Sequence, residues 1–435
     1  MRVIDYTAYR KYGGFCILHG IVFLCLILLS SPSTAYLSDS FEYIQAAQNL
    51  FHHGTWYAGD LQQPIQPLLE ALRPPVFPII LFPSFVLFHS LPVYWVLQFI
   101  FSCTGLYFLW KIAHRLGFSA HIQSLLMLLY CILPTQYLYM YFVMSEVWFQ
   151  CLWLVFFYII TLPTPFSTKR MYLISLVAAA CIATKPIALL VIPIGLGYVL
   201  YIHRREGIKI VQVLFFPLLV YFFVSYTHYT KTKVFEFSSI AGHNLVNYNG
   251  YYFMLSEKGK AYTDSAVSAN REAVATLSYP ESRQYLQSRT IQYILDAPFS
   301  YALFHLKGMG TFFVDPGRFD AAQLVGETTN TGFLEALSAG KESILKQIQR
   351  ISYPIAASML VTLTIKLFLA LSMVYSLFIK ASYRHRPFLL LMGIVLCSAL
   401  LTGPLGASRF WLPFMPFCLL WSAYGWTHVL SGRAI

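Results

Sequence analysis

Acidic residues are scarce in this chain and unevenly placed. Between Ala71 and Arg205 the only one is Glu146, and after Glu342 there is none. Charged residues of both signs make up 11% of the 435, against roughly 25% in a soluble globular protein. That deficit excludes an ordinary soluble domain. The sequence also has no Asn-X-Ser/Thr acceptor site, which weighs against a glycosylated secretory-pathway protein. Its eight cysteines (16, 25, 103, 131, 151, 181, 397 and 418) all fall in apolar runs, so neither a disulfide framework nor zinc spacing is offered. Internal repeats and low-complexity tracts are missing as well.

What the chain has in abundance is apolar surface. Hydrophobic residues reach 57%, with a mean hydropathy of +0.60. In hydrocarbon every backbone polar group must bond within the protein, so long apolar runs read as spanning helices. The expected fold is all-α and polytopic, with about ten spans near 14–33, 93–112, 121–139, 144–162, 171–184, 186–202, 209–227, 354–380, 387–405 and 409–430. The run Phe15–Leu29 follows a basic start but lacks a small-residue cleavage site, and so reads as an uncleaved first span. The net charge of +12 sits in short clusters between the runs, which is topology information and not a nucleic-acid surface. Arg2, Arg10 and Lys11, then Lys111, His114 and Arg115, Lys169 and Arg170, Arg204, Arg205 and Lys209, Lys380, Arg384 and Arg386, and finally Arg433 all fall on one side when ten spans are counted. Val76–Phe88 is left out of the count. It carries Pro78 and Pro83 behind Pro74 and Pro75, and proline breaks helices, so it reads as a re-entrant or interfacial element.

This layout divides the chain into an N-terminal membrane module, 1–227, an outer segment, 228–353, and C-terminal membrane helices, 354–435. The outer segment is expected to be small and mostly helical, with an amphipathic helix over Glu281–Leu295 and an apolar stretch, Tyr301–Val314, lying on the membrane. The 171–202 hairpin is short and should break at Lys185–Pro186.

Ionisable groups at membrane depth are costly and mark candidate sites. Asp39 follows the first span in Ser38-Asp39-Ser40-Phe41-Glu42-Tyr43. It is either a general base at the outer surface or part of a helix-capping box with Glu42. Glu146 opens the fourth span on the same face, as a site acid or as a partner of the helix dipole. Lys185 needs an anion or an aqueous cavity, or else snorkels. Arg409, in Ser408-Arg409-Phe410-Trp411-Leu412-Pro413, is a site cation or an interface anchor. Arg73 is more exposed, a site cation or a solvated charge. Lys366, deep in its span, is a candidate for the same cavity. Carboxylates and cations at one membrane surface suit transfer of a sugar from a lipid phosphate: a carboxylate takes the acceptor's proton and fixed cations meet the departing phosphate.

Five segments together resemble the GT-C superfamily of membrane glycosyltransferases, particularly the protein mannosyltransferase and lipid A aminoarabinose transferase relatives. They are the Ser38–Leu50 run continuing to Gly54-Thr55-Trp56-Tyr57, Arg73-Pro74-Pro75-Val76-Phe77-Pro78, Ser145-Glu146, Ala183-Thr184-Lys185-Pro186 and Ser408–Pro416. The resemblance implies inverting transfer from a polyprenyl-phosphate sugar to a glycan, lipid or protein acceptor. The setting it implies is a bacterial inner membrane with the site facing the periplasm or exterior. It makes Asp39 the base and Glu146 a second acid, and places Lys185 with Arg409 on the phosphate. Glu42, Tyr43, Arg73 and Lys366 are further substrate contacts. His243 and Asn244, in Ser238–Leu245, match the loop after the seventh span. The chain departs from larger relatives in lacking an extended C-terminal soluble domain, so 228–353 should supply the acceptor contacts. No metal motif is present, although relatives using lipid diphosphates often need a divalent ion. Two other classes remain: a polymerase or ligase of lipid-linked glycans, against which the placement of Asp39 argues, and a transporter or flippase, which would show internal pseudo-symmetry.

Overall fold

A computed structural model describes residues 6–163, 167–202, 204, 211–327, 352–380 and 382–430. Among the basic clusters, Arg2, Arg205, Lys209 and Arg433 lie outside the described residues, as does 328–351 of the outer segment. All regular structure among the described residues is helical, as the apolar runs require.

Helix α1 is Tyr6–Leu29 and α2 is Ser38–His53. A short helix, Val76–Ile80, and a π turn, Phe82–Leu87, follow, so the proline-rich stretch folds as two broken turns and not as a straight span. Next come α3 (Leu91–Arg115), α4 (Ala120–Ile132), α5 (Pro134–Tyr141), α6 (Glu146–Ile160), α7 (Thr168–Ile182), α8 (Ala188–Ile202) and α9 (Phe215–Thr232). The outer segment contributes α10 (Tyr251–Val274), α11 (Tyr279–Asp296), α12 (Pro298–Val314) and α13 (Arg318–Leu324). Helices α14 (Tyr353–Leu377), α15 (Arg386–Thr402) and α16 (Met415–Leu430) close the fold.

Among the described residues, four helices are long and apolar enough to cross a membrane: Arg10–Leu29, Leu91–Arg115, Val211–Thr232 and Tyr353–Leu377. A fifth span results if α4 and α5, bent by 50° at Leu133-Pro134, are counted together. Glu146–Ile160, Ala188–Ile202 and Arg386–Thr402 are apolar but shorter. A 15-residue helix rises only about 22 Å, less than the roughly 30 Å hydrocarbon layer. Proline breaks two further apolar runs. Pro134 bends one run, and Pro413 and Pro416 divide 408–430 into a helical turn, a 3-10 turn at Leu412–Phe414 and α16.

The helix α3 packs along α6, α7 packs on α9, and α14 pairs with α16. Trp153, Phe149, Phe156 and Phe157 of α6 are fully buried in that core, with Phe414 and Phe417 against them. The amphipathic helix runs Tyr279–Asp296, and Glu281 caps it through the Ser278 N–H at 3.0 Å. The apolar stretch 301–314 falls within helix α12, where Gly308 and Phe312 are buried and Leu303, Leu306 and Val314 stay exposed. Helix α12 contacts α14, α15 and the Gly403–Leu405 turn, with Gly308 so close to Pro404 that a Cβ would sit 2.3 Å from its Cα.

Candidate functional site

Three surface elements converge where the first loop meets the α7–α8 break. The Val76 N–H donates to the Ala183 carbonyl at 2.9 Å, which seats the segment after Arg73 beside Lys185. From the outer segment, the Ser239 N–H reaches Ala71 O at 2.8 Å and Ser238 Oγ reaches Leu72 O at 3.0 Å. The hairpin break falls at 183–187, as Lys185-Pro186 suggests. The irregular stretch before Glu146 is pinned by α3: Tyr94 Oη donates to Phe142 O at 2.7 Å and Trp95 Nε1 to Tyr141 O at 2.9 Å. Unpaired backbone groups there would be costly in a dry bundle, and these two side chains satisfy them.

The result is one continuous ionic chain. Glu42 Oε2 accepts from Arg73 Nε at 2.6 Å, and Arg73 Nη2 lies 2.9 Å from Asp39 Oδ1. Asp39 Oδ2 is 2.5 Å from Arg409 Nη2, whose Nε donates to Glu146 Oε1 at 2.7 Å. The same Glu146 oxygen takes Lys185 Nζ at 2.6 Å. Three carboxylates thus meet three cations, and the cluster is formally neutral. Tyr43 lies under Arg73, its ring centroid 4.8 Å from the guanidinium carbon, and its hydroxyl faces Ser145 Oγ at 3.5 Å. Glu146 is fully buried, yet its Oε2 has no hydrogen-bond partner.

Two residues differ from their local sequence reading. Arg73 is not a solvated charge: its side chain is only 9% exposed. Nor does Glu42 close a capping box, since Ser40 Oγ takes the Leu37 N–H at 2.9 Å and leaves Glu42 and Asp39 to their cations. Burial would raise the Asp39 carboxyl, but Arg409 and Arg73 outweigh it and hold it well below the usual carboxylate range. Burial raises Glu42, which Arg73 only partly offsets.

Not every expected residue joins the cluster. Lys366 is buried elsewhere, its Nζ 3.3 Å from Phe312 O and 4.4 Å from the centroid of the Trp411 ring, so it makes no ion pair with these acids. His243 is half-buried and its Nδ1 meets Asn247 Nδ2 at 3.1 Å. Burial lowers its basicity, and the nearby Arg73 and Arg283 guanidiniums lower it further. Asn244 offers its carbonyl to Asn249 Nδ2 at 3.2 Å, and both lie in the helical stretch 240–250 that stands where a loop was expected.

Three residues near Arg409 escaped the sequence reading. Asp315 Oδ2 accepts the Ser408 N–H at 2.5 Å, at the start of the turn that carries Arg409. Asp320 Oδ1 takes the Tyr139 hydroxyl at 2.7 Å. Gln150, one helical turn below Glu146, donates to Leu412 O at 2.7 Å. Asp315-Pro316-Gly317 has the residue types of a turn after an apolar helix, but nothing local points to its target 93 residues on.

Among the described residues, no three His, Cys, Asp or Glu side chains gather as a metal-binding group. The fold and the buried charges define an all-helical membrane protein with a polar centre at one end of its bundle. No family model, no curated protein and no solved structure matches the chain.

Proposed function

We propose that the protein is an inverting glycosyltransferase that moves a sugar from a polyprenyl-phosphate donor to a lipid, glycan or protein acceptor. One observation carries the reading: Arg409 bridges Asp39 at 2.5 Å and Glu146 at 2.7 Å, with Arg73 and Lys185 on the far sides of those acids. Buried charges cost several kcal/mol each before pairing, on the order of what a hydrophobic replacement would save. A chain that gathers six charges in one place, Arg73 and Glu146 buried and the other four partly buried, has a use for them beyond stability.

The chemistry follows from the charge balance. A phosphate group brings negative charge to a neutral cluster, so it must draw Arg409 or Lys185 partly away from the carboxylates. Asp39, a weak base while both guanidiniums hold it, then recovers basicity as donor binds. It takes the proton of the acceptor hydroxyl as that oxygen attacks the anomeric carbon. The bond from the anomeric carbon to the phosphate oxygen breaks, and the cations meet the charge left on that oxygen. Arg73, Tyr43 and Glu42 orient the base. His243 and Asn244, in the helical turn that follows the Ser238 and Ser239 contacts, would meet the acceptor.

The same reading adopts ten passes through the membrane, with the short helices α6, α7, α8, α15 and α16 completed by their broken neighbours. It puts the ionic cluster on the non-cytoplasmic face, and a bacterial inner membrane is the setting it favours. Purified protein incubated with a panel of synthetic polyprenyl-phosphate sugars should release lipid phosphate from one of them in an acceptor-dependent way. Release from none of the panel, by protein that binds them, would count against it.

A further inference from the structure

Behind Glu146 lies a second, buried polar system. Gln150 shares a face of α6 with Glu146, four residues away. Its two amide hydrogens go to Leu412 O at 2.7 Å and Gln136 Oε1 at 3.2 Å, and its Oε1 accepts the Tyr130 hydroxyl at 2.8 Å. Gln136 Nε2 in turn donates to Ser102 Oγ at 2.9 Å and to the Tyr130 oxygen at 3.1 Å. Ser102 Oγ meets His19 Nε2 at 2.8 Å, and His19 Nδ1 meets the Tyr137 hydroxyl at 2.9 Å. Tyr137 spends its own proton on Cys131 O, so it accepts from Nδ1–H, and Ser102 donates to Nε2. Donation therefore diverges from Gln150, through Gln136 and Ser102 to His19 and Tyr137 on one side and to the Leu412 carbonyl on the other. His19, Ser102, Gln136 and Gln150 are all fully buried.

The far end of this chain answers a specific defect. In a regular helix Leu412 O would accept the N–H of residue 416, but that residue is Pro416 and has none. The carbonyl takes the Met415 N–H in a tighter 3-10 turn instead, and its second lone pair goes to Gln150. Pro413, likewise, cannot donate to the Arg409 carbonyl. The turn carrying Arg409 is thus released from the helix ladder on its inner side. Two side chains of α6 hold it: Glu146 by the guanidinium and Gln150 by the backbone three residues on.

We infer that Gln150 is a positioning residue: backed by the His19–Ser102–Gln136–Tyr130 network, it braces the proline-broken segment 408–416 and so sets Arg409 against Asp39 and Glu146. The brace itself is independent of any reaction; its link to turnover rests on the transferase reading above.

Hydrogen–deuterium exchange of the full chain in detergent tests the brace. Gln150→Met keeps length and apolar packing but donates nothing. The amides of 408–415 should then exchange ~10-fold faster, while those of α3 stay unchanged. Pro416→Ala supplies the missing backbone donor, so in that background Gln150→Met should lose most of its effect. Unchanged exchange at 408–415 in Gln150→Met, or an equal effect with and without Pro416→Ala, overturns the brace. If Gln150→Met does not fold, Tyr130→Phe, which deletes only the hydroxyl orienting Gln150, should raise exchange at 408–415 by a smaller factor. No rise there overturns it equally. In the transfer assay Gln150→Met should lose ~20-fold or more in kcat with little change in donor KM, since a misplaced catalytic cation costs the transition state most. Full kcat per folded molecule removes the positioning role. Variants that show the exchange pattern, beside a wild type that transfers no sugar, sink the proposed function and leave the brace standing.

Discussion

Arg409 Nη2 lies 2.5 Å from Asp39 Oδ2, although 370 residues separate them in the chain. Asp39 stands near the start of the first helix after α1, and Arg409 just before the last. The contact closes the bundle and joins the first loop to the C-terminal helices through one ion pair.

Because Glu146 is fully buried, its cations should matter more than surface charges do. Lys185→Met should cost about 3 kcal/mol, at the low end for a broken buried pair because Arg409 remains on the same carboxylate oxygen. Glu146→Gln combined with Lys185→Met should cost less than the two single changes added together. Thermal unfolding of the four proteins in one detergent measures both values.

The Arg409 turn also depends on close backbone contact at Gly406. Its φ is +42°, and a Cβ there would lie 1.9 Å from Thr311 Oγ1 and 2.1 Å from Gly308 O. Gly406→Ala should destabilise by about 2–4 kcal/mol, combining backbone strain with a clash. Gly310, on the open face of α12, leaves a Cβ with nothing within 4 Å. Gly310→Ala should therefore stabilise by about 0.5–1 kcal/mol through helix propensity. Unfolding midpoints that move the same way in both variants would contradict this assignment.

Much of this was legible in the chain, and the rest has a common cause. The helix over 279–296, the break at Lys185-Pro186 and the proline-rich turns at 76–87 follow from local residue chemistry, and all three are found. Asp39, Glu146, Lys185 and Arg409 stood out because charges are rare in apolar runs, and they are in contact. Partner choice was not legible. Ser38, Asp39 and Glu42 offer a capping box as readily as an ion pair, and only the distant Arg73 and Arg409 decide between them. Arg73 looked solvated because the outer segment that covers its neighbours is more than 160 residues away. Gln150 and Asp315 gave no signal of what they bind, since a buried amide or a turn acid gains meaning only from the backbone it reaches.

Asp320 should leave a pH dependence on stability. Burial pushes its carboxyl up to about 7, with Asp315 adding to the rise, although the Tyr139 hydrogen bond opposes it. The native state then keeps a proton that an unfolded chain releases above about 4. Stability should fall as pH climbs from about 4 to 7 and level off above that. Unfolding midpoints across this range should slope downward for the wild type and less so for Asp320→Asn.

The ten-pass layout makes opposite claims for two exposed positions. In a cysteine-free background, Lys258→Cys on α10 should react with a membrane-impermeant maleimide in intact cells. Lys169→Cys at the start of α7 should react only after the membrane is opened. The reverse pattern would turn the molecule over and place the ionic cluster in the cytoplasm.

The most direct measurement is single-turnover sugar transfer by Asp39→Asn from the lipid-phosphate donor the wild type accepts. Asparagine keeps the shape and one acceptor oxygen but cannot take a proton, so transfer should slow by about 10²–10⁴-fold while donor binding persists. Transfer at the wild-type rate in that variant would contradict the assignment of Asp39 as the base and, with it, the proposed mechanism.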